Sequence, residues 1–194
     1  MAKKLSTGQI VLISLGVILL LIIFWFIGAY NGLIRTSTEV DEAWANVQTQ
    51  YQRRADLIPN LVEVVKKSAS FQQETFTEVT ALRSQWQAAT ATGNRLEQFQ
   101  IGESMGSALS RLLVTVENYP DLDLETFKNL QAQLEGTENR VSVARNRYNE
   151  KVKVYNVKIK RIPTVIIANM FGFNEEPFFE SKPGTEEVPI VGFD

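Results

Sequence analysis

Apolar and polar positions along the chain fall into two successive patterns. From Ile10 to Tyr30 no position is charged, and Leu, Ile and Val dominate. About 20 such residues, at ~1.5 Å rise each, cross the hydrocarbon core of a bilayer as a helix. Phe24, Trp25, Phe26 and Tyr30 gather at the end of this run, as an interfacial aromatic belt does. A cleaved leader has a shorter apolar core and small residues at its end, so the pattern predicts a retained anchor. From Val40 onward the apolar positions recur at helical spacing: Val40, Trp44, Val47, Tyr51, Arg54, Ile58, Leu61, Val65. Steps that alternate four and three make a coiled-coil-like stripe. Asn31 and Gly32 are weak breakers, so this helix is expected to continue the membrane helix without a linker, with a kink at Pro59.

Three more helices follow from the same reasoning. Ser70 with Gln73 forms a capping box, and Phe76, Val79, Leu82 and Trp86 supply an apolar face. Thr92-Gly93-Asn94 reads as a turn. Leu96, Phe99, Leu109, Leu112 and Val116 then face inward on a third helix, whose Gly102 and Gly106, one turn apart, suit close packing better than a binding role. Tyr119-Pro120-Asp121 interrupts the chain, and Asp123 is a candidate N-cap. The fourth helix is long, with Phe127, Leu130, Leu134, Val141, Ala144, Tyr148, Val152, Tyr155, Ile159 and Ile162 on one stripe and Tyr-Asn pairs at 148–149 and 155–156. Pro163 ends or kinks it. The predicted fold is all-α: a short segment 1–8, a single transmembrane helix 9–30 continuing into an up-and-down four-helix bundle 31–173, and a short apolar stretch leading to a disordered-looking tail 174–194. Within that tail Pro189-Ile190-Val191 is a candidate strap.

Helix lengths carry a further expectation. The first and last bundle helices run to roughly 35–40 residues and the middle two to roughly 20–24, so the short pair covers only the distal half. Trp44, Val47, Tyr51, Val152 and Tyr155 would then form an uncovered interface for a second copy, unless the tail folds back over it. The apolar stretch after Pro163 returns to the bilayer, which places Ile166, Ile167, Met170 and Phe171 with Trp25 and Tyr30 at the membrane interface or at the base of the bundle. Antiparallel pairing of the first and fourth helices brings Arg53, Arg54, Asp56 and Asn60 near Glu135, Glu138 and Arg145. That polar layer is either a register-fixing network or a ligand pocket. An inward Arg54 in particular demands a partner.

Composition narrows the chemistry. The 194 residues include no Cys and no His, at a net charge of -2. This excludes thiolate and imidazole catalysis, disulfides and the common zinc sites. Glu135 and Glu138 alone lack the histidines of a di-iron bundle. A near-neutral balance is unlike a nucleic-acid-binding surface. No cofactor is expected. Lys3 and Lys4 before the span, against Arg35 behind it, favour a cytoplasmic N-terminus and an external domain by a narrow margin.

Several strings together resemble the LemA family of bacterial membrane proteins. They are Glu42-Ala43-Trp44, Arg53-Arg54-Ala55-Asp56-Leu57-Ile58-Pro59-Asn60-Leu61, Glu117-Asn118-Tyr119-Pro120-Asp121-Leu122, Leu134-Glu135-Gly136-Thr137-Glu138-Asn139-Arg140 and Ala168-Asn169-Met170-Phe171-Gly172-Phe173. The likeness implies one N-terminal membrane helix, a long helical bundle, no agreed biochemical activity and a magnetosome-associated relative. It also implies a cytoplasmic domain, opposite to the charge count. Function is expected to be a non-catalytic, membrane-anchored scaffold that self-associates, or alternatively an adapter that recruits an envelope protease or chaperone.

Overall fold

The computed structural model describes residues 6–66, 73–116 and 124–179. Among these the chain is helical, without strands. The helices are α1 (Thr7–Lys66), α2 (Gln73–Thr92), α3 (Arg95–Val116), α4 (Leu124–Lys160) and α5 (Thr164–Phe171). Asn31 and Gly32 do not interrupt α1, and it continues past Pro59 to Lys66. The turn between α2 and α3 is built as its residues require: Gly93 takes φ +71°, and Asn94 Oδ1 accepts the Glu97 N–H at 3.3 Å to cap α3. Ser70, Asp123, the Tyr119 turn and the 180–194 part of the tail lie outside the described residues, as do the side chains of Val65, Phe76 and Val116.

The chain packs as two compact units. The first combines the N-terminal part of α1, to Glu42, with Glu150–Glu176. Residues 10–27 present large apolar side chains on every side of the helix; even Trp25 and Ile23, among the least exposed, are 43% and 44% accessible. This is the one helix among the described residues long and apolar enough to cross a membrane. Further along, Leu33 and Val40 are buried, as are Val152, Tyr155 and Ile159 of α4. Lys151 bonds Glu39 at 2.9 Å, and Lys158 donates to the Gly32 carbonyl.

The second unit contains, among the described residues, those of Ala43–Asn149 and 177–179. Its core includes the predicted stripe: Trp44, Val47, Tyr51, Ile58 and Leu61 of α1 are nearly inaccessible, and Ala55, outside that stripe, is buried with them. Val79 and Trp86 of α2, Phe99, Met105, Leu109 and Leu112 of α3, and Phe127, Leu130, Leu134, Val141 and Tyr148 of α4 are also buried. Two expectations fail. Leu96 is 56% exposed, because Asn94 starts α3 with Gln98 and Phe99, not Leu96, turned inward. Ile162 is 81% exposed, because α4 ends at Lys160. Thr137 fills the step between Leu134 and Val141, and its hydroxyl donates to the Leu134 carbonyl at 2.7 Å, so its burial leaves no orphan donor.

Candidate functional site

The polar layer lies in the second unit and is built around Tyr51. Arg54 enters the stripe with its side chain only 3% exposed, and its guanidinium meets the Glu138 carboxylate, which is 62% exposed. Arg145 comes from α4 to the Tyr51 hydroxyl, its Nε donating at 2.9 Å, and also pairs with Glu103 of α3. The pairs Tyr51–Arg145 and Arg54–Glu138 hold α1 and α4 antiparallel, within about one turn of the expected register. Burial pushes the Tyr51 phenol above its usual range, against the pull of the Arg145 and Arg54 cations. Burial also pulls the Arg145 guanidinium down, opposed by Tyr51.

The layer assembles from part of the predicted set. Arg54, Glu138 and Arg145 converge; Arg53, Asp56, Asn60 and Glu135 are exposed. Asp56 accepts from Gln52 at 2.8 Å and Glu135 from Gln131 at 3.1 Å, each within its own helix. Thus Glu135 and Glu138 do not aim at a common point. Glu103, the partner of Arg145, gave no signal in the sequence because it sits off the apolar face of α3.

Gly102 and Gly106 explain how these side chains fit. A Cβ on Gly102 would lie 2.5 Å from Tyr51 Cε1 and Cζ. One on Gly106 would lie 2.7 Å from an Arg54 terminal nitrogen. The missing side chains leave room for the ring and the guanidinium. Beside them is a cleft of about 120 Å³ lined by Arg54, Gly106, Leu109, Leu134 and Glu138, among others. A wider, more open groove of about 550 Å³ runs along Gln48, Gln52, Arg53, Asp56, Trp86 and Thr90.

The expected uncovered interface is closed within the chain. Trp44 is 5% exposed, Val47, Tyr51 and Val152 are 0%, and Tyr155 is 3%. For Trp44 the cover is aromatic: Phe99 at 4.8 Å between centroids, Tyr148 at 5.7 Å and Phe179 at 6.0 Å. Phe179 belongs to the tail, stacks on Phe99 at 3.8 Å, and takes the Arg145 guanidinium at 5.2 Å from its ring centre. The 174–179 stretch, expected to look disordered, is instead fastened by side chains of α4. Asn149 donates to the Phe179 carbonyl at 3.0 Å and accepts the Phe179 N–H at 2.9 Å. The Tyr148 hydroxyl donates to the Pro177 carbonyl at 2.9 Å. In the first unit Asn156 pairs in the same way with Glu176, at 2.9 Å and 3.0 Å. A carboxamide satisfies both backbone groups of one residue, much as a neighbouring strand does. Asn149→Ala is therefore expected to cost about 1–3 kcal/mol for the two lost bonds. Hydrogen exchange at the Phe179 amide should speed up by roughly tenfold or more, and an unchanged rate would show the clip to be idle.

The membrane-interface set divides too. Trp25, Ile166, Met170 and Phe171 are exposed and Tyr30 is half-buried, but Ile167 is 1% exposed. Ile167 and Ala168 form the inward face of α5, so Ile167 belongs to the packing of the first unit and not to its outer surface.

Taken together, the fold and the site define an all-helical protein with one candidate membrane helix near its N-terminus. The body of that protein is held by aromatic and arginine contacts, with its tail clipped onto α4. The chain belongs to the LemA family, whose model matches residues 43–193. It is similar to magnetosome protein MamQ 2 of Paramagnetospirillum magneticum, 27% identical over 186 residues that cover 84% of this chain and 68% of the relative. Magnetosome protein MamQ of Magnetospirillum gryphiswaldense is 26% identical over the same coverage. Protein LemA of Metamycoplasma hominis is 22% identical over 160 residues, 82% of this chain and 72% of the relative.

Proposed function

We propose that the protein is a non-catalytic scaffold of the bacterial cell membrane. Residues 9–30 anchor it as a single-pass helix, and an up-and-down four-helix bundle presents its outer faces at the membrane surface. The all-round exposure of the large apolar side chains from Ile10 to Trp25 carries this reading, because a lipid core accommodates such a surface on every side without cost. The absence of Cys and His from the sequence, and the commitment of Arg54 and Arg145 to partners in the chain itself, support a role in contact over one in chemistry. The charge balance around the span favours an external body, and a cytoplasmic body is the alternative. Protease added to intact cells should digest an external body and spare a cytoplasmic one.

Self-association in this reading uses an outer row, since the seam is filled. Val154 and Val157, one turn apart on α4, are 53% and 59% exposed in the unit that carries the candidate span. Light scattering of the detergent-solubilised chain should give a multiple of 21.9 kDa that Val154→Glu with Val157→Glu reduces to one chain. A wild-type mass of one chain would overturn self-association and leave the adapter reading. In that case crosslinking in cells returns a different envelope protein.

A further inference from the structure

We propose that α5 is a second membrane contact, lying in the lipid–water interface with Ile162, Ile166 and Met170 turned toward lipid. The inference deepens the anchor reading and rests on it.

Three observations within the first unit lead there. The first is the row itself. Ile166 and Met170, one turn apart on α5, are 61% and 64% exposed, and Ile162 in the turn before it is 81% exposed, while Ile167 and Ala168 on the other side of α5 are 1% exposed. Eight residues of α5 thus have a packed apolar face and an open apolar face, whereas a helix against water has one apolar face and one polar face.

The second is position. Phe171 at the end of α5 packs on Tyr30 at 4.7 Å and on Phe26 at 6.0 Å, and Phe173 meets Tyr30 at 6.1 Å. Just ahead of α5, Lys158 reaches the Gly32 carbonyl. Both ends of the 158–171 segment are therefore tied to residues 26–32 of α1, a stretch of only about 9 Å of helix rise. An eight-residue helix is about 12 Å long, so with Phe171 on Phe26 and Tyr30 the whole of α5 lies within about that distance of the end of the candidate span.

The third is the company it keeps. Residues 26–30 follow directly on the exposed run from Ile10 and carry the aromatic end expected at headgroup depth. Arg161, which leads into α5, is exposed, as suits a cation at a headgroup layer, and Lys160 beside it is exposed and paired with Glu175 at 2.7 Å. Lipid is thus the occupant of the open face: it already surrounds the adjoining segment.

The absence of cysteine makes the test direct. Single variants Ile166→Cys, Met170→Cys, Leu19→Cys and Arg53→Cys of the full-length chain are spin-labelled and reconstituted in phosphatidylcholine–phosphatidylglycerol vesicles. All four positions are exposed, so the label displaces no core contact. Power saturation with oxygen and with a water-soluble nickel chelate reads depth. Labels at Ile166 and Met170 should favour oxygen over nickel, at a ratio between that of Leu19 in the core and that of Arg53 in water. If both read as Arg53 does while Leu19 reads as lipid, α5 is in water and the proposal is overturned with the anchor intact. If they are shielded from both reagents, protein covers the face and the proposal is equally overturned. If Leu19 itself reads as water, the anchor reading fails and takes the proposal with it.

Discussion

Trp44→Asp is expected to unfold the second unit rather than to separate subunits. Trp44 is enclosed by Phe99, Tyr148 and Phe179, with Arg95 5.9 Å from its ring centre. Removing a buried tryptophan costs about 3–5 kcal/mol. Burying an unpaired carboxylate adds several more, or raises its pKa until it is neutral. The total is comparable with the entire stability of a domain, about 5–15 kcal/mol. Circular dichroism of the reconstituted variant should show no cooperative thermal transition from this unit. Trp44→Phe, which keeps the stacking partners, should retain one. A folded Trp44→Asp chain of unchanged melting temperature would mean that the aromatic enclosure is not the core of the unit.

Gly102→Leu is expected to be the most damaging change on α3. The position has no room for a first carbon, which would already lie 2.5 Å from the Tyr51 ring. The ring cannot retreat easily, since Trp86 stands 5.0 Å away on one side and Arg145 holds the hydroxyl. Overpacking of this kind costs about 1–3 kcal/mol and more where neighbours are fixed. Gly102→Ala should cost less, because it adds a single carbon beside the ring whereas leucine adds a whole branched side chain, both recovering part of the roughly 1 kcal/mol helix-propensity deficit of glycine. At roughly 2–4 °C per kcal/mol for a chain of this size, the leucine variant should melt several degrees lower. Tyr51→Leu combined with Gly102→Leu separates packing from propensity. If the ring is the obstacle, the double variant is more stable than the sum of the single costs predicts. Simple additivity would remove Tyr51 from the explanation.

These two positions also show how far a single sequence can be read. The glycines at 102 and 106 were legible as close-packing positions, because glycine inside a helix is a cost that must be offset by something. Which atoms approach them was not legible. Arg54 on an apolar stripe announced that it needed a partner, and antiparallel register placed Glu138 within reach. Arg145 instead took Tyr51 and Glu103, since a guanidinium has five donors and the helix opposite supplied an acceptor that no periodicity marks. In the sequence Asn149 and Asn156 show only as Tyr-Asn pairs seven residues apart. Their role as clips depends on a tail that returns to α4, which is a fact of three dimensions.

The sequence by itself determined the all-helical class, the apolar run of the candidate span, and most of the inward stripes of α1 and α4, because spacing along a helix is fixed by its geometry. Only the tertiary structure decided what covers the inward faces. The buried seam at Trp44 is closed by Phe179 and not left for a second copy, and Ile167 turns in while Ile166 turns out. Periodicity specifies that a stripe must be covered, whereas the identity of the cover follows from which distant segment fits the space and satisfies its backbone there.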